Sequence, residues 1–564
     1  MTTTNGTGAS ALIDALAAQG VAYLFGIPGV HTLLPYDLLH DHPSIRAVVT
    51  RHEGGAGFAA DGYARATGRP GVCLVVPGPG STNLATAALV AKSDSVPLVL
   101  ITAAVPDALH GRYAIHELDL VAFMRPLVKA QIAITTGTRG EIMGAIADAF
   151  ALATMEPPGP VHVLMPYHLF DRPTTDDDIE PRTVVTPAMQ GALAVTTDDD
   201  ALEAALTLLR GARAPLIYAG HGVVRAGAGA ALVALAESLN APVVTSNKAR
   251  GIIPEDHPLA VGVPSMAGVA AIIREADVCL ALGTHFNEYT TLTWKMPLPA
   301  RLIRVDCDRA ALTMNYPAEV AIPGDVAAIV DWLLERLPAD STATTLAAAT
   351  ARLRERRRAA LASFMASESD PTPPFHPRWV ARLLRDAFPP DTIVTSDGSA
   401  TESWLYEPGF TVTRPGSVLV PEVQQTMGYA VGAALGAALG APDRRALAVV
   451  GDGSLTMALG ELATIAAMRV PLTICVFNDG QYNALRVRQE ALFDRRYVGT
   501  ELGSLDYAQV ARGLGMRGEK IATAAQLRAI LRDAVTRSEP LLLDIPITPE
   551  PLSERYTAVI EAGR

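Results

Sequence analysis

A chain of 564 residues is more than one hydrophobic core serves and suggests three or four domains of ordinary size. With 49% hydrophobic and 18% charged residues it is neither disordered nor fibrous, and a net charge of −12 excludes a general nucleic-acid binder. The longest small-apolar stretch, AVGAALGAALGA, is too short and too rich in glycine to span a bilayer, so no membrane segment is expected.

The start, MTTTNGTGAS, has no basic segment leading into an apolar run, so no signal peptide is expected. The four cysteines form no C-x-x-C pair, and Cys73, Cys279 and Cys475 sit inside strand-like runs. They read as core thiols of a reducing compartment, and a cytoplasmic location is expected.

Residues 1–170 alternate β-rich runs (VAYLFGI, IRAVVT, GVCLVV, VPLVLIT, GPVHVLM) with helical stretches such as GAGFAADGYARATG. That alternation predicts a parallel sheet covered by helices. The acidic, Pro-rich DRPTTDDDIEPRTVVTP reads as a linker. A second block over 190–340 has APLIYAG, APVVTS, DVCLALG and RLIRVD as strands. ARLRERRRAALASF follows as a charged helix, its basic cluster read as a solvated face rather than a nucleic-acid surface. SESDPTPPFHP is extended, and a third block over 375–550 has DTIVTSD, RALAVVGDG, PLTICVFND and PLLLDIPI as strands. The expected class is α/β, with three doubly wound parallel-sheet domains.

The third block carries the chemistry. ALAVV is a continuous apolar run, as in a strand buried on both faces, and it ends at Gly451-Asp452-Gly453. SLTMALGELATIAAMRV has helical periodicity, and PLTICVF is the next buried strand, ending at Asn478-Asp479-Gly480. A right-handed βαβ crossover puts both strand ends on the edge where ligands bind. Asp452 and Asn478 are hard oxygen donors suited to Mg²⁺ or Ca²⁺, with a backbone carbonyl such as that of Gly480 and phosphate oxygens completing the shell. Gly451, Gly453 and Ser454 open a helix whose free N–H groups suit a diphosphate.

G-D-G-S, about two dozen residues, then N-D-G resembles the thiamine diphosphate motif. FGIPGVHT, TRHEGGAGFAADGYARATGRPGV, GPGSTNLATA, DSVPLVLIT and TMGYAVGAALGA extend the resemblance, in order, to the acetolactate synthase superfamily and its 2-oxo acid decarboxylase branches. GIPGVHT and IHEL are most similar to the 5-guanidino-2-oxopentanoate decarboxylase type. The resemblance implies a pyrimidine-binding, a central and a diphosphate-binding domain. It also implies thiamine diphosphate and Mg²⁺ as cofactors, and sites shared between subunits of a homodimer or homotetramer. The implied reaction decarboxylates a small 2-oxo acid to an enamine, which is protonated or joined to a second carbonyl.

Site residues follow from the same resemblance. Glu53 in RHEGGAG matches the Glu that pairs with the aminopyrimidine nitrogen; taken alone it reads as a surface residue complementing a helix dipole. Met427 in TMGYAV matches the apolar wedge that bends the cofactor, and otherwise reads as core filler. Ser399 and Thr401 in SDGSATESW are candidate diphosphate contacts. His31 matches the active-site His of the similar benzaldehyde lyase branch, and His116 stands where synthases carry Gln; the pair suits proton relay. Arg488 stands where acetolactate synthases carry Trp. Either it receives a substrate carboxylate or it faces solvent. GTHFNEYTT lacks the Arg and acidic pair of flavin-binding relatives, so FAD is not expected. A pyruvate oxidase-like flavoenzyme and a catalytically silent homologue stand as alternatives. A nicotinamide dehydrogenase is disfavoured by the missing G-x-G-x-x-G after a strand.

Overall fold

The computed structural model describes residues 6–174, 183–185, 198–337, 345–549, 552–553 and 556–557. The first sheet contains β1 (Tyr23–Gly26), β2 (Arg46–Val49), β3 (Gly71–Val75), β4 (Leu98–Ala104), β5 (Ala130–Ala133), β6 (Pro160–Pro166) and β7 (Thr183–Val185), in the order β2-β1-β3-β4-β6-β5-β7. The second contains β8 (Pro215–Ala219), β9 (Val243–Thr245), β10 (Ala260–Gly262), β11 (Val278–Leu282), β12 (Leu302–Asp306) and β13 (Val320–Pro323), ordered β10-β9-β8-β11-β12-β13. The third contains β14 (Ile393–Ser396), β15 (Val418–Leu419), β16 (Ala446–Gly451), β17 (Leu472–Asn478), β18 (Arg517–Lys520) and β19 (Leu541–Pro546), ordered β15-β14-β16-β17-β19-β18. All pairings are parallel except β5 with β7. The fold is α/β, with three doubly wound sheets, as the alternation of apolar runs and helical stretches implies. Central strands such as β3, β8 and β11 are buried at every residue, which explains why they read as unbroken apolar runs.

Two local expectations change. Within the stretch read as a linker, Thr183–Val185 forms β7, whose β-branched residues pair antiparallel with β5 at the sheet edge. Residues 175–182 and 186–187 of that stretch lie outside the described residues. The charged helix Thr345–Ser367 is only partly a solvated face. Leu346, Ala349, Thr350 and Leu353 are buried, and Arg354 reaches the carbonyls of Glu255, Asp256 and Ala260.

The first and third sheets share one core. Helix Glu53–Thr67 crosses helix Tyr429–Gly440 so closely that a Cβ on Gly436 would collide with the Ala59 carbonyl, and one on Gly62 with that of Ala433. Phe25, Val48 and Tyr63 of the first unit join Val431, Leu435 and Val476 of the third in a single buried cluster. A buried ionic network adds the central unit. Asp94 receives Arg65 (2.8 Å), Lys248 (3.3 Å) and the Glu422 N–H (3.1 Å), while Asp61 receives Arg65 (2.6 Å) and the Tyr429 hydroxyl (2.7 Å). Burial pushes the Asp94 carboxyl up, but Lys248 and Arg65 outweigh it and hold the group below its ordinary value. No described helix is long and apolar enough to cross a membrane.

Candidate active site

In the third sheet the order of strand addition reverses between β14 and β16, the switch point at which open α/β sheets bind ligands. A cavity of about 780 Å³ lies at the carboxyl ends of these strands. Ser399, Thr401, Met427, Gly451, Asp452, Gly453, Ser454 and Arg488 all line it. The packing there is tight. A Cβ on Gly451 would stand 3.0 Å from the Thr401 hydroxyl, and one on Gly453 would strike the Tyr482 ring. The predicted long helix after Gly453 is two pieces, Asp452–Thr456 and Leu459–Met468.

Gly451 pairs with Phe477, so Asp452 and the 478–480 turn lie side by side, as the βαβ argument requires. Asp452 Oδ1 accepts the Gly453 N–H (2.8 Å) and Oδ2 the Gly480 N–H (2.7 Å). The two other expected ligands, Asn478 and the Gly480 carbonyl, lie in the adjoining turn, each held by hydrogen bonds. The Asn478 amide donates to Asp544 (2.8 Å) and to the Leu505 carbonyl (3.3 Å), and the Gly480 carbonyl accepts the Leu502 N–H (2.9 Å). Asp479 and Gln481, from the same turn, line the cavity with Asp452. Burial raises Asp452 to about 6. Burial, and then the charge of Asp452, raise Asp479 to about 7. Two buried carboxylates driven upward in this way form a donor set that a hard divalent cation satisfies.

Other lining residues were not legible in the motifs. Asn287, Glu288, Tyr289, Leu292 and Thr293 come from the central unit, and Tyr556 from near the C-terminus. Leu292, Thr293 and Trp294 are three successive non-glycine residues with φ between 55° and 57°, a left-handed turn at the cavity wall. Asp397, buried behind the cavity, accepts the N–H groups of Tyr429 (2.6 Å) and Ala430 (3.1 Å) and interacts with Ser454. It thereby ties the segment after Met427 to the GDG turn. Arg488 is exposed at the rim and close to the Tyr556 hydroxyl. It faces both solvent and the cavity.

Glu53, His31 and His116 do not line this cavity. They gather on the first unit instead. Glu53 is the first residue of its helix, half-buried, and accepts the Asn83 amide (2.8 Å). The His31 ring lies 5.1 Å from His116 and 4.6 Å from Tyr167. Both Nδ1 atoms are buried without a hydrogen-bond partner among the described residues. Burial, then proximity to His116, lowers the His31 pKa. His116 adopts φ 66° and packs on Gly78, in the turn that leads to Asn83.

The sequence comparisons agree with this geometry. Models of the thiamine pyrophosphate enzyme N-terminal, central and C-terminal domains match residues 6–123, 202–333 and 397–545. The probable acetolactate synthase large subunit of Methanocaldococcus jannaschii is 33% identical over 99% of this chain and 94% of its own. The chain belongs to the thiamine pyrophosphate enzyme family. The probable 2-ketoarginine decarboxylase of Pseudomonas aeruginosa is 36% identical over 96% of this chain and 94% of its own. Acetolactate synthase isozyme 1 large subunit of Escherichia coli is 31% identical, with 96% and 94% covered. As a thiamine pyrophosphate enzyme of the acetolactate synthase and decarboxylase type, the chain has its N-terminal match around Glu53 and its C-terminal match around the cavity.

Proposed function

We propose that the protein is a thiamine diphosphate- and Mg²⁺-dependent decarboxylase of a small 2-oxo acid. The observation that carries this reading is the Asp452–Asp479 pair in the cavity at the switch point of the third sheet. Asp452, the Asn478 amide oxygen and the Gly480 carbonyl would hold Mg²⁺, with the Asp479 carboxylate adding negative charge beside them. The N–H groups from Gly453 and Ser454, with Ser399 and Thr401, would hold the diphosphate. Met427 would support the bend of the cofactor, and Glu53 would hold a proton at its aminopyrimidine ring. When bound, the cofactor supplies the electron sink for loss of carbon dioxide.

The two unpartnered imidazole nitrogens of His31 and His116 favour delivery of a proton, which releases an aldehyde. Similarity to acetolactate synthases favours a second reading, in which the product carbanion joins another carbonyl. Arg488 at the rim would receive a second carboxylate of the substrate.

Because Glu53 and the cavity lie apart in one chain, we propose that each site forms between two copies. Apolar side chains exposed beside both halves support this: Val30, Leu33 and Ile115 near the histidines, and Met457, Leu485 and Leu492 near the cavity. The test is turnover of a panel of 2-oxo acids with thiamine diphosphate and Mg²⁺, reading carbon dioxide and aldehyde against acyloin. Aldehyde is expected. Acyloin alone would favour the second reading, and no turnover of any 2-oxo acid would return the silent-homologue alternative.

A further inference from the structure

In a chain of net charge −12, the helix Thr345–Ser367 places arginines at 352, 354, 356, 357 and 358, with Glu355 the one acid among residues 351–360. Arg358 pairs with Glu355 at 2.7 Å. Arg354 and Arg357 point inward and donate to main-chain carbonyls, Arg357 to Val261 (2.7 Å) and Ala267 (2.5 Å). Arg356 has no carboxylate partner among the described residues.

Arg356 and Arg357 then meet Arg378 at a cavity of about 300 Å³, whose other walls include Leu353, Leu361 and Pro408. No carboxylate lines it, and Arg378 is bound to Glu407 at 2.7 Å. The Arg356 guanidinium beside apolar walls matches an organic anion: an oxyanion for its fork, with Arg357 and Arg378 adding positive charge, and an apolar body for the leucines.

The position couples this cavity to the larger one. Pro377 lines the large cavity and Arg378 the small one. Trp404 lines the large cavity and Pro408 the small one, and the Arg378–Glu407 pair joins the two segments. A ligand that draws on Arg378 therefore acts on the wall of the cofactor cavity.

We propose that this arginine cavity is an effector site for a small organic oxyanion, a phosphate or carboxylate on an apolar body. Its binding does not depend on the proposed reaction; its effect on cofactor affinity rests on that reading. The probes are ADP, benzoate and inorganic phosphate, titrated calorimetrically into the full chain saturated with thiamine diphosphate and Mg²⁺. ADP against benzoate separates phosphate from carboxylate recognition, and inorganic phosphate shows what the head group alone contributes.

Arg356→Glu is expected to weaken the probe that binds by about tenfold or more, as loss of a charge-assisted contact implies. Arg352→Glu, the same charge change on the same helix outside the cavity, should leave it within about twofold. Equal loss in both variants, no loss in Arg356→Glu, or no binding of any probe would overturn the site. In a second titration, the binding probe should shift the apparent thiamine diphosphate affinity in the wild type and not in Arg356→Glu. An unshifted wild type would overturn the effector role. Failure of cofactor binding in that titration would instead count against the proposed function.

Discussion

Asp452 and Asp479 set the pH behaviour of the cavity. Both carboxyls sit above their ordinary value, at about 6 and about 7, so without a cation they keep their protons to higher pH than free carboxyls do. A cation requires the ionised forms, so Mg²⁺ affinity should rise as pH rises through 6 and 7 and fall below that window. The stability of the cation-free protein runs the other way. A carboxyl raised on folding destabilises progressively as pH climbs from its unfolded value, near 4, past its folded one. Mg²⁺ titrations and thermal unfolding between pH 5 and 8 check both signs. Asp479→Ala should weaken Mg²⁺-dependent cofactor retention by about tenfold or more. Asn478→Ala, which removes the oxygen of an amide whose nitrogen Asp544 holds in place, should weaken it as well. Glu53→Gln should retain cofactor while turnover falls about 10²–10⁴-fold, the range for a lost acid–base group. Arg488→Ala should raise KM for dicarboxylic 2-oxo acids selectively; equal change across substrates would place its role outside substrate binding. The G-D-G and N-D-G letters made this edge legible. They did not show that the Asn478 amide nitrogen is held by Asp544, because that residue comes from β19 and lies far away in sequence.

At the scale of elements, the crossing of helices Glu53–Thr67 and Tyr429–Gly440 is the joint on which both halves of the site are built. Gly436→Ala would push a methyl group into the Ala59 carbonyl and should cost about 3 kcal/mol, read as a lower Tm. The strands buried on both faces were legible because their apolar runs are continuous. The short edge strands were not: β18 is Arg-Gly-Glu-Lys and β10 is three residues, Ala260–Gly262. Their pairing comes from the neighbouring strand rather than from their own side chains. The helix after the GDG turn read as one because its apolar period continues through Met457 and Ala458, where the helix breaks. The contribution of residues 287–293 to the cavity depends on how the central unit docks, which no local pattern encodes.

At the scale of the molecule, Asp94 holds the three units to one another. Asp94→Ala would leave Arg65 and Lys248 buried without their shared partner and should destabilise the chain by about 3–5 kcal/mol. The separation of Glu53 from the cavity within one chain makes the account depend on a second copy. Hybrid complementation tests this most directly. Glu53→Gln and Asp452→Ala each disable every site of a uniform assembly. Unfolded apart and refolded together, they form mixed pairs in which one of the two sites combines an intact Glu53 with an intact Asp452. The account predicts that decarboxylase activity returns on mixing, toward one active site per mixed pair. A refolded mixture as inactive as either parent, with mixed pairs shown to have formed, would contradict it.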